Sequence, residues 1–135
     1  TFNTNSKSSV WDACYVDWET NSFAMHMVRI SAETIRMVGK MGPQTLESVG
    51  WKNDDIDMFV AHQVGRRVQD SYLKQFQIEK DHAIEVYQDY GNLTSVSVPA
   101  CFDLLKSLGK LQKGLKTLIN STGSGIVVTQ VPYIV

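Results

Sequence analysis

The feature that most constrains the fold of this chain is the alternation of helical patterns with short apolar runs. Apolar residues at helical spacing predict a first helix from Phe23 to about Val38. The glycines and the proline of segment 39–43 predict a break or kink after it, with a short continuation over Gln44–Val49. Helices that alternate with strands in this way are typical of the α/β class.

The rest of the chain continues the alternation. Short apolar or β-branched runs predict strands, helical spacing predicts two more helices, and the polar residues 1–22 are typical of a loop or a partial strand. The predicted elements are strands at Ile56–Ala61, Ala83–Tyr90 and Thr117–Ser121, helices at about Val64–Gln77 and Ser95–Leu108, and a closing hairpin strand at Ile126–Val135.

Composition excludes several classes of protein. The 13 Lys and Arg residues against 14 Asp and Glu residues give a net charge of −1, which lacks the basic excess of a nucleic-acid-binding domain. No apolar run is long enough to span a membrane, and the first residues do not resemble a signal peptide. Cys14 and Cys101 share no C-x-x-C spacing, so we expect free thiols and a cytoplasmic location. His26 and His82 lack partners at metal-ligand spacing, so we expect no metal.

Two polar residues follow two predicted strands. His62 comes directly after Ile56–Ala61, and Asn92 comes after Ala83–Tyr90. Because ligands of α/β sheets bind beyond the carboxyl ends of strands, these side chains could converge on one pocket. Two donors aimed at one oxygen would stabilise an oxyanion or enolate. By spacing alone, a histidine after a strand is more often structural, and an asparagine after glycine is more often an ordinary turn residue.

Three linked motifs resemble a known family. They are DDIDMFVAHQV at 54–64, DYGNLTSVSVPACF at 89–102, and the glycine-rich turn within 122–127. In order and spacing they resemble the C-terminal half of β-ketoacyl-acyl-carrier-protein synthase III, a condensing enzyme of the thiolase superfamily. The resemblance implies the C-terminal half of the thiolase-like fold, a mixed sheet with helices packed on it. It divides the chain into an unaligned segment 1–22 and a domain over 23–135.

The resemblance also implies a reaction. In that family a cysteine takes an acyl group as a thioester, and a His and an Asn hold the carbonyl of a malonyl group while it loses carbon dioxide. The resulting carbanion then attacks the acyl-cysteine. His62 and Asn92 match the His and the Asn, and a neutral His62 donating from Nε2 would serve best. The nucleophile belongs to the family's N-terminal half, and neither Cys14 nor Cys101 has the setting of that cysteine.

Further roles follow from the same resemblance. Gly91, Gly123 and Gly125 match substrate-contacting turns, and Arg67, with Arg66 beside it, matches an arginine that docks the acidic carrier protein. The implied partners are acyl carrier protein, acyl-coenzyme A, the N-terminal half of the enzyme, and a second copy in a homodimer. No cofactor is implied, since coenzyme A and phosphopantetheine thioesters are substrates.

Two other hypotheses remain open. One is a non-catalytic ketosynthase-like module that pairs subunits or binds a carrier protein. The other is an unrelated small α/β ligand-binding domain in which His62 and Asn92 are incidental. Retention of both residues argues against the first alternative, and the linked motifs argue against the second.

Overall fold

A four-stranded mixed sheet forms the centre of the protein. The structure, a computed structural model, describes residues 1–135. Its strands lie in the order β1-β6-β5-β4, with β4 parallel to β5 and the other neighbours antiparallel. The strands of this sheet are β1 (Asn3–Ser6), β4 (Met58–Ala61), β5 (Lys116–Gly123) and β6 (Val127–Ile134), while β2 (Cys14–Asp17) and β3 (Ser22–Met25) form a separate antiparallel hairpin.

Helices cover both faces of the sheet. They are α1 (Met27–Glu47), α2 (Arg66–Phe76), α3 (Tyr87–Tyr90) and α4 (Ser97–Ser107). Alternate residues of a strand point to opposite faces, and β4 shows this directly. Phe59 packs in the larger core with α1 and α2, whereas Val60 packs in a smaller core with Cys101 and Leu105 of α4. The α/β class is therefore confirmed. None of these helices is long and apolar enough to cross a membrane.

The first helix differs from its prediction at both ends. Phe23 lies in β3, and α1 begins at Met27. Segment 39–43 does not break the helix, because α1 runs to Glu47 with Pro43 inside it. Pro43 can donate no hydrogen bond to the preceding turn, yet buried side chains on either side of it, Met41 and Leu46, hold the helix against the core.

Segment 83–90 is not the predicted strand. Only Ala83 makes a bridge, to Phe59 of β4, and the residues from Tyr87 form the single turn α3. The side chain of Gln63 makes the hydrogen bonds that a neighbouring strand would otherwise make with this segment. The backbone N–H groups of Val86 and Tyr87 both donate to Oε1 of Gln63, at 2.7 and 3.1 Å.

The N-terminal residues are more ordered than their polar sequence indicates. Residues Asn3–Ser6 form an edge strand against β6, and an edge strand needs no apolar face to complete its hydrogen bonds. Asn3 also donates to Thr45 of α1 at 3.1 Å. The division at residue 22 remains a prediction, but part of the segment before it belongs to the central sheet.

Gly42 lies where α1 packs against α2, so a side chain added at this position tests how closely the two helices approach. A Cβ at this position would lie 2.6 Å from Cε1 of the buried Phe76 ring. We expect Gly42→Ala to lower the free energy of unfolding by about 1–3 kcal/mol, the usual cost of overpacking a core. Urea unfolding followed by circular dichroism measures it. Gly39→Ala is the matched control, because its Cβ meets only the flexible end of Gln75. An equal loss at both positions would contradict the role of Phe76.

Candidate active site

A cavity of about 410 Å³ opens beyond the carboxyl end of β4. Four parts of the chain line it, namely residues 25–34, 62–72, 92–98 and 121–124. His62, Asn92 and Gly123 are all on its wall, so the structure brings together three of the residues that the sequence singled out. The cavity therefore lies beyond the carboxyl end of a strand, which is where α/β sheets usually bind their ligands.

The backbone of β5 and the loop before α4 hold His62 in place. Its N–H donates to the carbonyl of Asn120 at 2.9 Å, which extends the β4–β5 pairing by one residue. Its ring contacts the carbonyl of Thr94 through Nδ1 at 3.0 Å. A carbonyl oxygen can only accept, so Nδ1 carries the proton. Burial lowers the pKa of His62, and the Thr94 hydrogen bond opposes that shift.

This contact changes one expectation about His62. The sequence led us to expect a neutral ring that donates from Nε2. In the structure the neutral ring has its proton on Nδ1, because the other partner in that hydrogen bond is an acceptor. Nε2 makes no hydrogen bond within the chain, and the ring lines the cavity.

Asn92 reaches the cavity from a turn, and no strand precedes it. The turn begins at Gly91, whose φ of 68° is easily adopted only by glycine. The side-chain Oδ1 of Asn92 accepts the N–H of Thr94 at 2.9 Å. This fixes the orientation of the amide and leaves both protons of Nδ2 free to donate to a ligand. Thr94 is thus hydrogen-bonded to both predicted residues.

Gln63 is a structural residue of the site that sequence reasoning missed. Its side chain is only 1% exposed. Nε2 donates to the carbonyl of Ile84 at 2.6 Å and contacts Sγ of Cys101 at 3.3 Å, while Oε1 accepts the two N–H groups from the start of α3. The amide therefore anchors the segment that leads into Asn92. The only signal in the sequence is a glutamine two residues beyond the end of a buried strand, next to His62.

The remaining predicted residues lie around the cavity. Gly91 and Gly125 belong to turns that reach the cavity wall, but they do not line it. Arg66 and Arg67 are exposed at the start of α2, outside the cavity. Their proposed contacts with substrate or carrier protein remain predictions.

Neither cysteine is placed as a nucleophile. Cys101 is fully buried in α4, and burial raises the pKa of its thiol to about 12. A nucleophilic cysteine needs the opposite, a lowered thiol pKa. Cys14 lies in β2 and does not line the cavity.

The wall of the cavity carries no charged side chain. His62 and Tyr72 are its only titratable residues. Tyr72 is nearly fully buried, and burial raises the pKa of its phenol, against which a hydrogen bond with Thr122 acts. Tyr72 lies in the helix that the sequence predicts over Val64–Gln77, and nothing in its spacing marks it as a residue of the cavity. No group of three His, Cys, Asp or Glu side chains is placed to hold a metal ion. The site can therefore hold a neutral polar group by hydrogen bonds.

A pair of buried glutamines tests the role of Gln63. We expect Gln63→Leu to lower the free energy of unfolding by about 1–3 kcal/mol for each backbone group left unpaired. Gln69→Leu is the matched control, since the amide of Gln69 is equally buried but has no hydrogen-bond partner. We expect that change to be neutral or stabilising. Equal losses in urea unfolding would show that Gln63 does not act through its hydrogen bonds.

The pKa of His62 makes stability depend on pH. Folding lowers this pKa below its usual value of 6.5, so the unfolded chain binds more protons as the pH falls through that value. Acid therefore destabilises the folded state through His62. We expect the free energy of unfolding to fall more steeply on acidification in the wild type than in His62→Gln. Parallel curves from urea titrations would contradict a lowered pKa.

Comparison with known proteins identifies the family. The family model for the C-terminal region of 3-oxoacyl-[acyl-carrier-protein] synthase III matches residues 46–131. An acyl-CoA:acyl-CoA alkyltransferase of Xanthomonas campestris is 32% identical over 94 residues, 70% of this chain and 28% of that protein. A β-ketoacyl-[acyl-carrier-protein] synthase III of Neisseria gonorrhoeae is 29% identical over 91 residues, 67% of this chain and 28% of that protein.

Solved structures agree on the fold. The synthase III of Aquifex aeolicus superposes with a TM-score of 0.90 at 20% identity, over 98% of this chain and 43% of its own. OleA of Xanthomonas campestris gives 0.89 at 25% identity, over 98% of this chain and 38% of its own. The chain thus spans less than half the length of these relatives, and it has the fold of one part of them. It belongs to the family of 3-oxoacyl-[acyl-carrier-protein] synthase III C-terminal domains.

Proposed function

We propose that this chain is the C-terminal part of a ketosynthase III-type condensing enzyme. The observation that carries the proposal is the meeting of His62 and Asn92 on one uncharged cavity, in a chain that the family model matches. The reaction is the decarboxylative Claisen condensation of a malonyl thioester with an acyl thioester, as in fatty-acid or polyketide-like synthesis. Coenzyme A and carrier-protein phosphopantetheine carry the substrates.

The chemical task of the cavity is to stabilise charge on one oxygen. Loss of carbon dioxide from a malonyl group leaves negative charge that spreads onto the thioester oxygen. Asn92 Nδ2 is a donor already held in place for this oxygen, and His62 donates from Nε2 once the ring carries a second proton. Donors that are fixed before the reaction lower its barrier, because they need not reorient as the charge develops.

The nucleophile of the proposed enzyme lies outside this chain. Cys101 is buried with a raised thiol pKa, and Cys14 does not line the cavity. The longer relatives that the chain matches leave room for a second half that brings the cysteine. We therefore expect the chain by itself to have no condensing activity.

An apolar surface on the hairpin supports such a partner half. Trp18 and Val28 are each 85% exposed, and Trp11 and Phe23 are more than half exposed. These four residues, which we call the hairpin surface, lie in or beside the β2–β3 hairpin and the start of α1. Large apolar groups concentrated in one region are typical of a surface that another element covers. The N-terminal half of the enzyme is the proposed cover, and a homodimer is the proposed assembly.

Arg66 and Arg67 are the proposed contacts for acyl carrier protein. Both are exposed at the start of α2, next to the loop that carries His62, and neither forms an ion pair within the chain. Free positive charge beside the entrance of a site favours an acidic partner.

Decarboxylation of malonyl thioesters by the full protein tests the proposal. We expect His62→Ala and Asn92→Ala each to lower the rate by about 10²–10³-fold, the usual effect of losing one oxyanion donor. Release of carbon dioxide from labelled malonyl-coenzyme A measures it. His26→Ala is the control, because His26 is exposed and does not line this cavity.

Comparing malonyl-carrier protein with malonyl-coenzyme A as substrates in the same assay distinguishes an effect on carrier-protein docking from an effect on the reaction itself. Arg67→Glu is expected to raise KM for malonyl-carrier protein and to leave the reaction of malonyl-coenzyme A unchanged. Full activity in both His62→Ala and Asn92→Ala would overturn the catalytic proposal and favour a non-catalytic binding module.

A further inference from the structure

The cavity has an open side and a buried side, and the buried side carries hydroxyl groups. Asn92, Thr94 and Ser95, which precede α4, are exposed. On the side of α1 and α2, Thr34 is 5% exposed and Tyr72 is 1% exposed. Coenzyme A or a carrier protein is too large to enter a cavity of about 410 Å³ as a whole. The bulk of the carrier therefore stays at the open side, and the group attached to the thioester carbonyl faces the buried side.

Thr122 places a hydroxyl at the end of β5, close to His62. The carbonyl of Asn120 accepts the N–H of His62, and Thr122 follows Asn120 by two residues on the same face of β5. Thr122 lines the cavity, and its side chain is hydrogen-bonded to the phenol of Tyr72. A substrate whose carbonyl is held at His62 therefore has its first chain carbons near this hydroxyl.

The contact with Tyr72 makes Thr122 a donor toward the cavity. The phenol is protonated, because burial raises its pKa, and it is too buried to reach a ligand itself. Each hydroxyl has one proton to donate and can also accept. When Tyr72 donates to Oγ1 of Thr122, the proton of Thr122 remains free for a group in the cavity.

Thr34 adds a second hydroxyl to the buried side of the wall, where its neighbours are apolar. Ile30, Val64 and Val68 complete this part of the lining. An unsubstituted alkyl chain would displace water from the hydroxyls of Thr34 and Thr122 and would offer no hydrogen bond in return. Because buried polar groups without partners weaken binding, this lining favours a chain that is apolar but carries an oxygen atom.

The polar character of this face of β5 continues behind Thr122. Asn120 is fully buried, and its Oδ1 accepts a proton from Nε2 of Gln130 at 3.2 Å. The Nδ2 group of Asn120 has no hydrogen-bond partner. Buried polar groups are normally hydrogen-bonded, so an unpaired donor next to the wall fits a polar occupant better than an alkyl chain.

We propose that Thr122 is a specificity-determining residue that favours acyl thioesters with an oxygen near the carbonyl, such as 3-hydroxyacyl or 3-oxoacyl groups. The inference rests on the proposed function, because the thioester carbonyl has to be held by His62 and Asn92. The wall carries no charged side chain, so the oxygen that it recognises is that of a neutral alcohol or ketone. A site with hydroxyls placed for such an oxygen rejects the analogue that lacks it.

Binding of analogues that cannot transfer their acyl group tests the proposal without requiring turnover. A methylene group in place of the thioester sulfur keeps the carbonyl and prevents acyl transfer. Calorimetry with the full protein gives Kd for a 3-hydroxyacyl analogue of coenzyme A and for the unsubstituted acyl analogue of equal chain length. We expect the hydroxylated analogue to bind about tenfold more tightly, the effect of one additional hydrogen bond. Equal affinities overturn the proposal.

Substitutions at Thr122 separate its hydroxyl from its shape. Thr122→Val keeps the branched shape, so we expect the tenfold preference to disappear, whereas Thr122→Ser should retain it. Tyr72→Phe should reduce the preference, because Thr122 loses the partner that directs its proton. Thr129→Val is the matched control, since Thr129 lies in β6 and does not line the cavity. Circular dichroism checks the folding of each variant.

Two further outcomes would count against the proposal or separate it from the proposed function. Equal weakening of both analogues in Thr122→Val overturns it, because the hydroxyl would then act on a group that both analogues share. A preference for the hydroxylated analogue, without release of carbon dioxide from malonyl-coenzyme A, supports the specificity and overturns the proposed function. Decarboxylation with equal affinities overturns the specificity and leaves the proposed function intact.

Discussion

The side chain of Gln63 is the interaction on which the rest of the site depends. One buried amide makes hydrogen bonds to the carbonyl of Ile84 and to two successive N–H groups. It follows His62 directly in the chain, so it ties the end of β4 to the segment that leads into Asn92. The His62 ring and the Asn92 amide then meet through the backbone of Thr94. Side-chain hydrogen bonds therefore connect two parts of the chain that share almost no strand pairing.

The sequence predicted the location of the site better than its local structure. The apolar run that ends at Ala61 predicts a buried strand, which the structure places at Met58–Ala61, and the position of His62 follows from it. Asn92 was placed at the same edge for the wrong reason, since segment 83–90 has β-branched residues in alternation but is not a strand. The period of the apolar residues in a sequence shows which side chains lie on the same face of a strand or helix. It does not reveal that a single glutamine satisfies the backbone groups that a strand would pair.

Other errors share one physical origin, which is tertiary packing that overrides local preference. Gly42 and Pro43 are signals of a helix end, yet Gly42 serves as the point of close approach to Phe76. Met25 of the hairpin and Tyr72 of α2 line the cavity, although nothing in their local sequence distinguishes them from ordinary apolar residues. The tautomer of His62 depends on one carbonyl from a distant loop, and spacing along the chain contains no information about it.

His62 and Asn92 are proposed to act on the same oxygen of a thioester. A crystal structure of the full protein with a non-hydrolysable malonyl or acyl thioester analogue tests this most directly. We expect the carbonyl oxygen to lie within about 3 Å of both Asn92 Nδ2 and His62 Nε2, the distance of a hydrogen bond. An analogue bound with its carbonyl oxygen away from both residues would show that the two side chains do not act on it together.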